Sequence, residues 1–168
     1  MTEPINDPLY WAERLRTAKE RHHSIFRCDL DRWRRIEEKH RQILAETVHP
    51  EWSVLDAGCG YGRLLTLMPA DWRGHYAGVD LSPDFVDLAR KEHLRREFRV
   101  VDLRQVPWVS GTFDLAVLIS IRPMVRRNLG DEEWDKMERE LRRVSRRLLF
   151  LEYDEDDPGE IVQTVQTC

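Results

Sequence analysis

Apolar residues in the first fifty positions recur at helical spacing. Asn6-Asp7-Pro8 places a capping residue before a proline suited to the first helical position, and Leu9, Ala12, Leu15 and Ala18 then mark a helix over about 8–22. A break around His23-Ser24 leads to Cys28-Asp29. Beyond it Leu30, Trp33, Ile36, Ile43 and Leu44 form an apolar stripe on an otherwise charged segment, a second helix that ends before Pro50. From Trp52 onward the pattern changes to short apolar runs alternating with helical stretches. Five strands are predicted at 53–56, 76–80, 98–102, 113–120 and 148–153, with helices near 63–68, 83–93 and 131–145 between them. Ser82-Pro83 caps and starts one helix, and Gly130-Asp131 starts another with Glu132 and Glu133 at the positive end of its dipole. After the fifth strand, 161–165 is the one further segment with strand character.

This alternation, with right-handed crossovers, defines an α/β class: a doubly wound, mostly parallel sheet whose ligand crevice lies at the carboxyl ends of the first and fourth strands. The two helices of 1–50 form a lid segment ahead of a domain over 51–168, in a single compact unit. With 168 residues, 41% of them hydrophobic, the chain supports one core. Its 27 basic and 31 acidic residues leave a net charge of −4, so no chain-wide positive field attracts nucleic acid. No stretch approaches the ~20 apolar residues that cross a bilayer. The opening residues lack a basic, then apolar, leader, which points to a cytoplasmic address. Cys28, Cys59 and Cys168 are too far apart for a disulfide framework or a zinc ribbon and are expected as free thiols.

The most specific segment is Val54-Leu55-Asp56-Ala57-Gly58-Cys59-Gly60-Tyr61-Gly62-Arg63, an apolar strand that runs into D-x-G-x-G-x-G and then a helix. Glycines at alternate positions let the backbone approach a ligand and leave amide donors free, and Asp56 suits a cationic ligand amine. In a dinucleotide fingerprint counted from Gly58 and Gly60, the third glycine would fall on Arg63, which disfavours NAD. The second strand ends at Asp80-Leu81, where a carboxylate can accept both hydroxyls of a ribose. The third ends at Asp102-Leu103, suited to the exocyclic amine of an adenine with the leucine against its ring. Any one of these acids alone is equally a strand-end cap.

Asp56-Ala57-Gly58-Cys59-Gly60-Tyr61-Gly62, Asp80 and Asp102 resemble the first three motifs of class I S-adenosylmethionine-dependent methyltransferases, and the likeness runs over about 52–153. The resemblance implies a Rossmann-like methyltransferase fold, S-adenosylmethionine as cofactor and S-adenosylhomocysteine as product. By position, Asp56, Ala57, Gly58, Cys59, Gly60 and Gly62 pass under the methionine and ribose part, Asp80 with Leu81 holds the ribose, and Asp102 with Leu103 holds adenine. The carboxyl end of the fourth strand lies beside the transferred methyl, so that Ser120 to Arg122 face the chemistry. The family's sheet ends in an antiparallel hairpin that this chain is too short to build in full. That would leave the fifth strand as an edge for the tail or a second subunit, so a homodimer stays open.

For the acceptor, the sequence works by elimination. The family's amine-methylating DNA enzymes carry Asn/Asp-Pro-Pro-aromatic after the fourth strand, where this chain reads Ser120-Ile121-Arg122-Pro123-Met124. No cysteine follows a proline as a cytosine C5 nucleophile would. Ser120 and Arg122 stand where metal-dependent relatives place carboxylates, so no metal is expected. Arg122, Arg126 and Arg127 form a loop that suits an anionic acceptor if more than Arg122 turns inward, while the acids of 152–157 suit a cationic one. Tyr10, Trp11, His22, His23 and Phe26 could shape the acceptor pocket from the lid, and Tyr10 or His22 could act as base alongside Arg122. The expectation is methyl transfer to a small molecule by alignment and desolvation. The alternatives are a nucleic-acid or protein acceptor, or a cofactor-binding module without independent catalysis.

Overall fold

A computed structural model describes residues 2–26, 28–153 and 161–168. Its frame is a six-stranded sheet in the order β3-β2-β1-β4-β5-β6. The strands are β1 Val54–Ala57, β2 Tyr76–Asp80, β3 Glu97–Val100, β4 Leu115–Ile119, β5 Arg147–Tyr153 and β6 Ile161–Thr167. All neighbours run parallel except β6, which lies antiparallel on β5. Winding reverses between β1 and β4, which opens a crevice at their carboxyl ends.

Period-two alternation divides the strand side chains between two faces. Leu55, Ala57, Ala116, Leu118, Leu148 and Phe150 join Trp134, Met137 and Leu141 of helix α5, Asp131–Val144, on one face. Val54, Leu115, Val117, Leu149 and Leu151 meet Ile36, Ile43 and Leu44 of helix α2, Leu30–Thr47, and Val86 and Ala89 of the helix Pro83–Glu92, α3, on the other. Both faces of the central strands are covered, so β1, β2, β4 and the middle of β5 are buried, while β3 buries only Phe98, and each fully buried Leu or Phe stabilises the fold by about 1.5–3 kcal/mol.

The first helix, α1, ends at Thr17, short of the predicted 22, and Ala18 leaves it extended. His22 and His23 belong to a separate 3₁₀ turn, Arg21–Ser24, tied by both ring Nε2 atoms to the Cys28 carbonyl at 3.1 and 3.0 Å. The helix expected near 63–68 is likewise a 3₁₀ turn, Arg63–Thr66, with Pro69 close behind it. β3 stops at Val100, so Asp102 lies beyond the strand, its Oδ1 accepting from the Arg104 amide at 2.9 Å in a local turn. β4 is shorter than 113–120, and Phe113 only bridges Ser145.

The larger correction concerns the arginine loop. It is a helix, α4, Ile121–Leu129. Pro123 sits in its first turn, where a missing N–H leaves no bond unmade, and thus starts a helix instead of holding a loop. The chain end also builds more than expected, since β6 pairs with β5 along its whole length, from Arg147 opposite Thr167 to Tyr153 opposite Ile161. β5 is therefore covered, and the free edge is that of β6. Of the acids of 152–157, residues 154–157 lie outside the described residues.

Candidate active site

The loop after β1 is built by its glycines. Gly58 takes φ +81° and Gly60 φ +52°, conformations that a side chain disfavours. A Cβ on Gly58 would come within 2.4 Å of Ile121 Cδ1. The amides of Gly58 and Cys59 both donate to the Val79 carbonyl, at 2.8 and 2.9 Å, fastening the loop to β2. The Gly60 amide donates to Asp80 Oδ2 at 2.8 Å, and the Ser82 amide to Asp80 Oδ1 at 2.9 Å.

Above these strand ends lies a cavity of about 170 Å³, room for roughly half a dozen waters and too large for a packing defect. Asp56, Gly58, Cys59, Gly60, Asp80, Leu81, Asp102, Leu103 and Ser120 all line it, together with Trp11 from α1. Ala57 and Gly62 do not. Ala57 is buried in the core, and Gly62 packs against His93 and Phe98.

The acids differ in their surroundings. Burial pushes the Asp56 carboxyl up to about 7, against the pull of a 2.7 Å hydrogen bond from the Tyr76 hydroxyl and of the Arg63 charge. Burial also raises Asp80, opposed by its backbone donors. Hydrogen bonds from Arg104 hold Asp102 below the usual carboxylate range, and the guanidinium reaches both its oxygens and Glu133. Asp102 thus reaches the cavity already engaged.

The three residues considered as catalytic stand apart from the cavity wall. The Tyr10 hydroxyl accepts from Arg14 at 3.2 Å, and its ring packs edge-on to Trp11. His22 is buried and stacked on Trp33 at 5.1 Å. Arg122 is spent on structure: Nε and Nη2 donate to Glu152 at 2.8 and 2.5 Å, and the guanidinium lies 4.3 Å from the Phe150 ring centroid. Neither anionic-acceptor docking at Arg122 nor a base at Tyr10 or His22 follows from this arrangement. Arg126 pairs with Asp131 on the surface.

Other residues come into view instead. Ser120 holds φ +58°, a strained position for a non-glycine, and its buried Oγ has no hydrogen-bond partner of normal geometry among the described residues. The nearest candidate is Tyr153 at the end of β5, whose hydroxyl Ser120 draws down in pKa against the larger upward push of burial. Tyr153 lines the cavity and stacks on Phe26 at 4.6 Å. Trp33 and Arg63 complete this end of the wall. Among the described residues no group of His, Cys, Asp and Glu could hold a metal ion, and no helix is long and apolar enough to cross a membrane.

A family model described as a methyltransferase domain matches residues 54–147, more than half of the chain. The chain belongs to that methyltransferase domain family, whose members of this type use S-adenosylmethionine as methyl donor. A ribosomal protein L11 methyltransferase of Burkholderia thailandensis is 35% identical over 74 residues, covering 44% of this chain and 25% of that protein. The chain thus spans about a quarter of the length of the curated relatives it matches. The PH0226 protein of Pyrococcus horikoshii OT3 superposes with a TM-score of 0.62 at 24% identity, over 82% of this chain and 68% of that one. A SAM-dependent methyltransferase of Methanosarcina mazei gives 0.57 at 22%, over 68% and 58%. These structures share the fold.

The cavity's chemistry fits that donor. Asp80 offers a carboxylate fixed by two backbone amides at the end of β2, and the Gly58–Gly60 backbone forms a wall that side chains would fill. Leu81, Phe85, Val101 and Leu103 supply apolar surface beside Asp80.

Proposed function

We infer that the protein transfers a methyl group from S-adenosylmethionine to a small-molecule acceptor. The observation that carries this reading is the Asp80 carboxylate, anchored to Gly60 and Ser82 while opening onto the cavity beside the glycine loop. In this reading Asp80 accepts from the ribose hydroxyls, Leu103 and Leu81 flank the adenine, and the Gly58–Gly60 backbone lies along the amino-acid portion. Asp102 contributes the lone pairs that Arg104 leaves to it. When bound, the donor supplies an electrophilic methyl on a sulfonium.

Ser120 and Tyr153 end the two strands nearest the acceptor side. Burial keeps the proton on the Tyr153 hydroxyl at neutral pH, so Tyr153 donates a hydrogen bond and does not abstract a proton. Trp11, Phe26 and Trp33 line the cavity from the N-terminal segment and give it apolar surface. Alignment and desolvation then carry the acceleration. A small acceptor is supported by the net charge of −4, which offers no positive field to a nucleic acid, and by the aromatic lining that Trp11, Phe26 and Trp33 give the cavity.

Titration calorimetry with S-adenosylmethionine and S-adenosylhomocysteine, with NAD as control, tests the donor. Micromolar binding of both sulfur nucleosides but not NAD is expected; no binding overturns the assignment. A protein acceptor is the second reading, favoured by the name of the L11 methyltransferase relatives. Radiolabelled methyl incorporated into lysate protein, and none into the low-mass fraction, would decide for it.

A further inference from the structure

Arg63 follows the glycine loop and opens the 3₁₀ turn, yet its side chain turns inward. It is 6% exposed, lines the cavity, and lies 4.8 Å from the Trp33 ring centroid. Among the described residues its guanidinium makes one hydrogen bond, between Nη1 and His40 Nδ1 at 3.3 Å. His40 is wholly buried, and burial with the Arg63 charge drives its pKa down to about 3. That imidazole is therefore neutral and offers no counter-charge. Glu37 stands 4.0 Å away and also faces Arg41 at 3.9 Å. Asp56 lines the same cavity and its carboxyl is drawn down by the Arg63 charge against burial, but its Oδ2 accepts from Tyr76, and among the described residues no ion pair within 4.0 Å joins it to Arg63. A guanidinium carries five N–H donors in a planar fork, and leaving such a cation buried without a matched anion costs several kcal/mol.

We propose that Arg63 is the carboxylate subsite of this cavity, its guanidinium taking an anionic carboxylate inserted between Trp33 and the glycine loop. Resting on the donor assignment above, two ligands could bring that group: the amino-acid end of S-adenosylmethionine, or an acidic methyl acceptor. His40 acts as a positioning residue, holding the guanidinium by one edge while its other donors remain for the ligand. Lysine could not replace this fork, since a point charge makes no bidentate contact.

Calorimetry separates the sources. S-adenosylhomocysteine and 5′-methylthioadenosine, which lacks the amino-acid end, are titrated into the wild-type chain, R63M and R63K. If the cofactor supplies the carboxylate, R63M binds S-adenosylhomocysteine about 10- to 100-fold more weakly and methylthioadenosine unchanged, with R63K between. If the acceptor supplies it, both nucleosides bind R63M as they bind wild type. Benzoate then binds the S-adenosylhomocysteine complex of wild type but not that of R63M. Undiminished S-adenosylhomocysteine affinity together with benzoate binding indifferent to Arg63 overturns the proposal. Methylthioadenosine affinity reports an intact cavity, and R63K carries the comparison should R63M not fold. A wild-type chain that binds neither nucleoside overturns the donor assignment instead, and benzoate titrated into the unliganded chain then decides Arg63 by itself.

Discussion

The Gly60 amide and the Asp80 Oδ2 meet at 2.8 Å across twenty residues of sequence, joining the glycine loop to the end of β2. One carboxylate thus shapes the loop and faces the cavity, and its loss is felt twice.

Asp80→Ala is expected to weaken S-adenosylhomocysteine binding by about 1–3 kcal/mol, with part of the effect coming from a loosened loop. Calorimetry reads the affinity, and amide hydrogen exchange at Gly60 reads the loop. Unchanged affinity removes Asp80 from the site.

Gly60→Val places a β-branched residue at φ +52°, its Cβ 3.6 Å from Ile25 Cγ2 and 4.0 Å from Phe85 Cδ1, both residues of the cavity wall. Binding should be lost while the domain stays folded, at a stability cost of about 1–3 kcal/mol. A normal melt with normal binding would show that this backbone does not touch the ligand.

Arg122→Ala should act on stability and leave cofactor affinity in place. Arg122 and Glu152 are only 21% and 14% exposed, so truncation leaves a half-buried carboxylate unpaired, a loss of about 1–3 kcal/mol by urea denaturation. Adding Glu152→Gln should recover part of it. An Arg122→Ala chain of wild-type stability would contradict the pairing of α4 with β5.

Asp56 sets a pH dependence. Its folded pKa of about 7 lies above the ordinary 3.8, so between those values the folded state binds more proton than the unfolded one, and this carboxyl's contribution to stability falls as pH rises. Asp56→Asn should remove that fall, gaining on the order of a few kcal/mol relative to wild type at pH 8 and little at pH 4. His40 works the other way. Its folded pKa of about 3 lies below 6.5, so its contribution is lost as pH drops through that window. Stability curves of Asp56→Asn and His40→Gln from pH 4 to 8 should therefore diverge from wild type in opposite directions. Parallel curves would refute both assignments.

The legible parts of this molecule were those encoded locally. D-x-G-x-G-x-G between an apolar strand and a turn states its own backbone conformation, and acids closing apolar runs mark strand ends. Asp56, Asp80 and Asp102 could therefore be placed on one cavity from the chain alone. Pro123 misled because a proline suits a helix's first turn as well as a loop, and only tertiary context decides between them. Arg122 looked available because its partner lies thirty residues on, in β5. Arg63 was visible as a departure from a dinucleotide pattern, but its inward turn depends on Trp33 and His40 of α2, which no local pattern reveals. Ser120's left-handed backbone carries no sequence signal, since serine rarely adopts it.

Because β6 runs back along all of β5, the two ends of that pair serve as a built-in ruler. Tyr153 stands at the cavity, while Thr167 lies opposite Arg147, about 20 Å away at the spacing of an extended chain. Cys168 beside it is exposed, whereas Cys59 is buried and Cys28 half-buried. A thiol-reactive dye attached there would sit at the far end of that ruler from the cavity, beside Trp52 at Arg147 and clear of every residue that lines the cavity.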